Sequence, residues 1–376
     1  MKTIKKVVLY FILLMVVANA YLILTGHSYI YKGLVNTYFK GRSGPEIDEY
    51  PIFAFREVKT GQFKPLPVAK DYNRCELPEA KFNLYNPVAY LVIQHDSIKY
   101  ERYWEGYGED SYSNSFSMAK SFVGALIGCA IQDGYIKSVD QAVGDFIPQY
   151  KNGANQHITI KHLLMMRSGI NFDENYVSPF AYPAAAYYGT DISGLTLKYE
   201  GTETPGESFK YLSGNTELLG MIIEKATGKK LANYMGERLW APLGAKHPAK
   251  WSLDHEGGME KAYCCFNSNA RDFARLGMLY LHHGNWFGNQ LIPAAYIAAS
   301  TTGTSNYGYQ WWIVHHNNHA YPCCRGILGQ YIILIPEKDM VVVRLGHKRS
   351  KDRVGDNPLD IFLYIDAALE MAEKKN

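Results

Sequence analysis

Strand-like stretches stand near both ends of the 376-residue chain, with helical character between them, which leaves few ways to build a single core. Near the start, Ala89-Tyr90-Leu91-Val92-Ile93 reads as a strand, His95-Asp96-Ser97 as a turn, and Ile98 to Trp104 as the returning strand. Toward the end, Tyr309 to Val314, Gln330 to Ile335 and Met340 to Leu345 are strand-like, and Pro336-Glu337-Lys338-Asp339 turns the chain between the last two. A closing helix is predicted to open at Asn357-Pro358, where Asn caps and Pro suits the first helical position. The simplest solution pairs both sets of strands into one antiparallel sheet flanked by helices, with a mainly helical region of about 135–250 inserted. The expected class is α/β, of the α+β kind.

The segment that delivers the chain from the first hairpin into the helices is the most chemically loaded. Ser117-Met118-Ala119-Lys120-Ser121 heads an apolar run through Phe122, Val123, Leu126, Ile127 and Ile131, read as a buried helix. Residues three apart on a helix share a face, so the Ser117 hydroxyl and the Lys120 ammonium point into one volume. Ser117 is also the only serine that precedes a lysine by three positions. Farther on, Ile158 to Met166 reads as a short helix in which His162 is a packed histidine rather than a base. Residues 170–205 read as a long aromatic loop, a common home for specificity. Helices are expected over 216–226, 231–240 and 271–281, the last capped by Asn267 or Ser268.

Composition narrows the function. A net charge of +3 without a long basic run gives no reason to expect nucleic acid as a partner. Lys2, Lys5 and Lys6 precede an apolar run from Val7 to Leu24, so residues 1–26 read as an export signal or a membrane anchor. Ala18-Asn19-Ala20 resembles a cleavage site, yet the apolar run resumes behind it, and both readings stay open. Either way the bulk of the chain is expected on the extracytoplasmic side of a membrane or in the periplasm, released or anchored. Residues 27–87 show no clear period and read as an irregular lead-in to a domain over 88–376. The six cysteines include the vicinal pairs Cys264-Cys265 and Cys323-Cys324, between which a bridge is possible in an exported protein. No spacing suggests zinc, and His315-His316-Asn317-Asn318-His319 reads as a turn between strands. No metal or cofactor is expected.

Three separated pieces together supply what acyl transfer needs: Ser117-x-x-Lys120, Tyr211-Leu212-Ser213, and Cys324-Arg325-Gly326-Ile327-Leu328-Gly329-Gln330. Ser117 would be the nucleophile. Lys120, kept charged, would favour the Tyr211 phenolate, which takes the serine proton and returns it to the leaving group. Ser213 would support them. Gly326 would let a strand edge approach closely, and backbone N–H groups of Ile327 and Ser117 would stabilise the oxyanion. No Gly-x-Ser-x-Gly elbow or His-Glu-x-x-His helix offers a competing chemistry.

These motifs, in this order, resemble those of the serine β-lactamase-related hydrolases, the group that includes class C β-lactamases and D-amino-acid esterases and peptidases. In form they look most like the 6-aminohexanoate-oligomer hydrolases, whose second motif is also Tyr-x-Ser. His162-Leu163-Leu164, Ser168-Gly169 and Arg271-Asp272-Phe273-Ala274-Arg275 look like structural signatures of the same group. The resemblance implies a β-lactamase/transpeptidase-like fold and hydrolysis of a small-molecule or short-peptide amide or ester. It also implies that Tyr176 touches substrate. The third motif departs from the lactamase pattern, with Cys324 where Lys or His precedes the glycine, so the carboxylate-gripping cation is missing unless Arg325 substitutes. Weak β-lactamase activity, or a binding protein with an inactive cleft, are the alternatives.

Overall fold

The central strands drawn from the two ends of the chain are mainly apolar on both faces, and the structure buries both. The computed structural model describes residues 2–302 and 306–373. Its leading elements are α1 (Lys2–Leu24), α2 (Tyr29–Asn36), β1 (Phe55–Val58), β2 (Pro87–Gln94), β3 (Ser97–Tyr103), β4 (Ser113–Asn114) and α3 (Ala119–Gln132). The middle contains α4 (Ser213–Thr227), β5 (Ala249–Ser252), β6 (Phe266–Ser268) and α5 (Ala270–Leu281). The chain closes through β7 (Trp312–His316), β8 (His319–Gly326), β9 (Gln330–Ile335), β10 (Met340–Gly346) and α6 (Asp360–Glu373).

Strands from both ends form one antiparallel sheet, as the sequence suggests, in the order β3-β2-β10-β9-β8-β7, with β8 a strand that the sequence reading does not name. Val341, Val343 and Leu345 of β10 join the core that contains Phe273 and Leu276 of α5 and most of α3. The alternate residues Met340 and Val342 join Ile361, Tyr364, Ile365 and Ala368 of α6 on the other face. Close packing of α5 on the sheet depends on Gly277, where an added Cβ would lie 2.6 Å from Val341 Cγ1 and 3.1 Å from Ile332 Cγ2.

A second antiparallel sheet, β1-β5-β6-β4, lies outside the sequence expectations. Its outer strand comes from the segment that shows no period, which therefore contributes β1, α2 and a short helix Glu79–Asn83. Pairs of Phe55 with Ser252 and Val58 with Ala249 tie this segment to the middle of the chain. α1 is long and apolar enough to cross a membrane, with a mean hydropathy of 2.6 over a window none of which is buried.

Several local expectations are corrected. Asn357 and Pro358 do not start α6, because they pair with Val354 and Arg353. The Asn357 carboxamide oxygen accepts from Arg325 Nη1 at 2.8 Å, so it does not cap a helix. α5 is capped by Asn269, which accepts from the Asp272 N–H at 2.9 Å, since Asn267 and Ser268 are committed to β6. The strand expected from Tyr309 begins at Trp312, because Gln310 sits at φ 62° with its side-chain amide bonded to the Leu163 and Leu164 carbonyls. The aromatic region 170–205 contains two short helices, Tyr182–Tyr188 and Ile192–Thr196, the second capped by Asp191. His162 closes a capping box with Thr159, a structural use.

Gly277→Val is expected to destabilise the fold by roughly 1–3 kcal/mol through overpacking against β9 and β10. A thermal melt of the variant beside wild type checks this, with a lower Tm expected.

Candidate active site

Ser117 owes its position to a strained turn. β4 pairs with β6, and just beyond it the Ser115 N–H donates to the Phe266 carbonyl at 3.0 Å. Asn114 Oδ1 then accepts from the Phe116 N–H at 2.9 Å, and buried Phe116 takes a positive φ of 44°. Such a conformation is costly for an aromatic residue and persists only where its surroundings impose it. The chain then enters a 3₁₀ turn, Phe116–Met118, and the α-helix proper starts at Ala119, two residues later than the sequence suggests.

One turn farther on, Lys120 is 1% exposed. Its Nζ donates to Ser117 Oγ at 3.1 Å, to Ser213 Oγ at 3.3 Å and to the Tyr263 carbonyl at 2.9 Å. Three acceptors match the three N–H donors of an ammonium, which burial would otherwise penalise heavily. The same Nζ lies 5.2 Å from the Tyr211 ring centroid and 5.3 Å from that of Tyr263. Residues from three distant parts of the sequence thus meet at one cation.

The tyrosines around this cation differ. Complete burial, with Glu217 and Glu174 nearby, pushes the Tyr263 pKa well above its ordinary value and keeps it a phenol. Tyr176 keeps 57% of its surface exposed, but its hydroxyl end turns inward and donates to Glu174 Oε1 at 2.8 Å. Desolvation of that end and the adjacent carboxylate raise its pKa as well. Tyr211 packs on two rings, Trp312 at 5.1 Å and Tyr307 at 6.0 Å between centroids.

Gly326 makes the close approach expected of it. A Cβ there would stand 2.4 Å from the Ser115 carbonyl oxygen, so only glycine lets the end of β8 lie against the nucleophile turn. Ile327 follows directly and borders the same cavity as Ser117. Gln330 braces this corner, donating to the Ile327 carbonyl at 3.2 Å and the Gly346 carbonyl at 2.7 Å, and accepting from the Gly346 N–H at 3.1 Å.

Arg325 is not a substrate-facing cation. It is buried, its guanidinium stacks 3.6 Å from the Trp312 ring centroid, and its Nη1 donates to Asn357 Oδ1 at 2.8 Å. Arg325 and Tyr211 pack on the same indole, so the arginine stiffens the wall behind the tyrosine. Glu174, by contrast, carries no role in the sequence expectations. Its carboxylate accepts from the Ser213 N–H at 2.8 Å and the Ser213 hydroxyl at 2.5 Å, fixing the serine that in turn accepts from Lys120. The only signal for it was the polar run Asp173-Glu174-Asn175-Tyr176 within an aromatic loop.

A cavity of about 330 Å³ opens at Ser117, bordered by Phe116, Tyr176, Tyr263, Cys264 and Ile327. Cys264 is bonded to its neighbour Cys265, while Cys323 and Cys324 are free, so no bridge joins the two vicinal pairs. Cys323 and Cys324 lie in β8 and point to opposite faces, whereas Cys265 at φ 66° turns its thiol toward that of Cys264. Among the described residues no group of three or more His, Cys, Asp or Glu side chains is arranged to hold a metal ion. His316 and His319 flank a tight turn at Asn317-Asn318 and pair with Asp366 and Glu337.

Comparison with known proteins agrees with this geometry. The Beta-lactamase family model matches residues 87–364, and the chain belongs to that family, the serine β-lactamase-related hydrolases. It is 27% identical over 286 residues to the 6-aminohexanoate-dimer hydrolase of Paenarthrobacter ureafaciens, spanning 68% of this chain and 71% of that protein. Over 134 residues it is 34% identical to Protein flp of Staphylococcus aureus strain MW2, which is 35% of this chain but only 26% of that protein. A solved structure of a proposed 6-aminohexanoate-dimer hydrolase from Bacillus anthracis superposes with a TM-score of 0.75 at 24% identity, covering 87% of this chain and 92% of that one. That likeness establishes the fold.

Gly326→Ala is expected to push β8 away from the nucleophile turn and to slow acylation about a hundredfold or more. The rate of fluorophosphonate labelling, measured beside a thermal melt that shows the fold retained, checks it.

Proposed function

We propose that the chain is a serine hydrolase that cleaves an amide or ester through an acyl-enzyme on Ser117. The single observation that carries this reading is the buried Lys120 ammonium 3.1 Å from Ser117 Oγ. In this reading Tyr211 works as the phenolate, with the Lys120 charge 5.2 Å from its ring centroid as the counter-ion. The Tyr211 oxygen takes the Ser117 proton as Oγ attacks the substrate carbonyl carbon, and the negative charge moves to the carbonyl oxygen. N–H groups of Ser117 and Ile327 stabilise that oxyanion. Collapse breaks the bond to the leaving alcohol or amine, which receives the proton from Tyr211 and departs. Water then repeats the sequence on the acyl-enzyme: Tyr211 takes its proton, the acid is released, and Ser117 regains its hydrogen.

Ser213 and Glu174 hold Lys120 in place throughout, and Tyr176 lies at the substrate's edge. The substrate is a small molecule or short peptide, and the enzyme works on the extracytoplasmic face of a membrane, tethered by α1. A retained tether is supported by contacts of the segment that follows α1: Tyr31 of α2 donates to Asn19 of α1, and the linker's His27 ring meets Phe180 at 5.2 Å.

Ser117→Ala is expected to abolish both turnover and labelling by a fluorophosphonate in intact-mass spectrometry. Lys120→Ala and Tyr211→Phe should each lower kcat/KM about a thousandfold or more, and Ser213→Ala considerably less. A folded wild-type protein that takes no adduct, or a fully active Tyr211→Phe variant, would overturn the mechanism.

A further inference from the structure

Part of the wall of the Ser117 cavity is built by the segment that leaves the membrane candidate. α2 starts five residues after α1 ends, and Tyr29, Ile30 and Leu34 of α2 border the cavity opposite Ser117 and Ile327. α2 is fastened there, since the Tyr29 hydroxyl donates to the Pro179 carbonyl at 3.0 Å and Gly33 packs against the Tyr188 ring. Five residues span at most about 18 Å of extended chain, so with α1 in a bilayer this wall stands within that reach of the lipid surface.

The chemistry of the lining points the same way. Among the described residues that border the cavity there is no Asp, Glu, Lys, Arg or His. Its side-chain polar atoms are serine, threonine and tyrosine hydroxyls, and the disulfide sulfur of Cys264. A substrate with ionised ends would lose its hydration there without gaining a counter-charge. An uncharged aliphatic chain loses nothing. At the rim, Val177 is 92% exposed and Phe180 50%, and Phe180 meets His27 of the linker between α1 and α2. Tyr38 also borders the cavity and is 66% exposed. The mouth thus carries apolar surface on the side from which a bilayer would present its lipids.

We propose that the substrate is a membrane-resident ester or amide with a long aliphatic acyl chain, and that this chain lies against α2. The proposal rests on the serine-hydrolase reading and names its substrate class. Ser117 and Ile327, whose N–H groups hold the carbonyl oxygen in that reading, both border the cavity, so the reacting carbonyl stands at its wall with the acyl chain assigned to its interior. The acyl group passes to Ser117 with loss of the alcohol or amine, and water releases it as the fatty acid. Chain specificity resides in α2, outside the matched family region of residues 87–364.

The test uses the full chain in phosphatidylcholine vesicles with p-nitrophenyl esters from acetate to decanoate, after labelling of Ser117 by a fluorophosphonate has been scored. The expected result is a kcat/KM that rises about fourfold per added methylene over the first several carbons, as burial of each CH₂ predicts. Leu34→Glu, which places a charge in the wall, should lower the decanoate-to-acetate ratio at least tenfold. A labelled wild-type enzyme whose kcat/KM is flat or falls with chain length overturns the acyl-chain proposal and leaves the hydrolase standing. Absence of labelling overturns both. If Leu34→Glu does not fold, the wild-type profile decides alone.

Discussion

Everything at the centre of this molecule answers to one buried ammonium. Among the described residues no carboxylate bonds to Lys120; its hydrogen bonds go to two serine hydroxyls and a peptide carbonyl. Neutral acceptors hold a cation more weakly than a carboxylate would, which leaves its field unneutralised for the neighbouring phenol and hydroxyl. The arrangement demands that four chain segments converge: the turn before α3, the start of α4, the 174–176 loop and the stretch before β6. Glu174 contributes at one remove, through Ser213, so negative charge steadies the site without quenching the lysine.

The two sheets divide the labour. The six-stranded sheet supplies β8, whose Gly326 end meets the turn that carries Ser117, and β7, whose Trp312 packs against both Tyr211 and Arg325. The small sheet supplies β4 and β6, which aim the backbone into Phe116. A strained residue immediately before the nucleophile is thus fixed by hydrogen bonds from a separate layer, and the strain is held by the fold around it rather than by local preference.

The sequence conveyed most of the large sheet because the runs around β2, β9 and β10 are mainly apolar and bounded by turns, whereas the less apolar His319–Gly326 drew no strand expectation. Ser117 and Lys120 stood out because residues three apart on a helix share a face. Glu174 was hidden because a carboxylate in a loop has no period. Arg325 was misleading for a related reason: sequence order puts it beside Gly326, but successive strand residues point to opposite faces, so it stacks on Trp312. β1 and α2 were invisible because each is stabilised by a partner far along the chain. β1 needs β5, about 190 residues later, and α2 needs the helix at Tyr182–Tyr188, so neither leaves a mark in local composition. The vicinal disulfide depends on one positive φ at Cys265 that spacing does not report.

The pairing of β1 with β5 also bears on where this protein can be cut. A chain shortened to the matched family region would lose Phe55–Val58 while keeping Ala249–Ser252, leaving the outer edge of β5 with unpaired N–H and C=O groups. The freed strand carries buried Trp251, and its new edge would be open to a second copy. Shortening intended to make the protein more tractable would therefore create an adhesive edge, and the segment without period serves as the guard strand that keeps the family fold from pairing with itself.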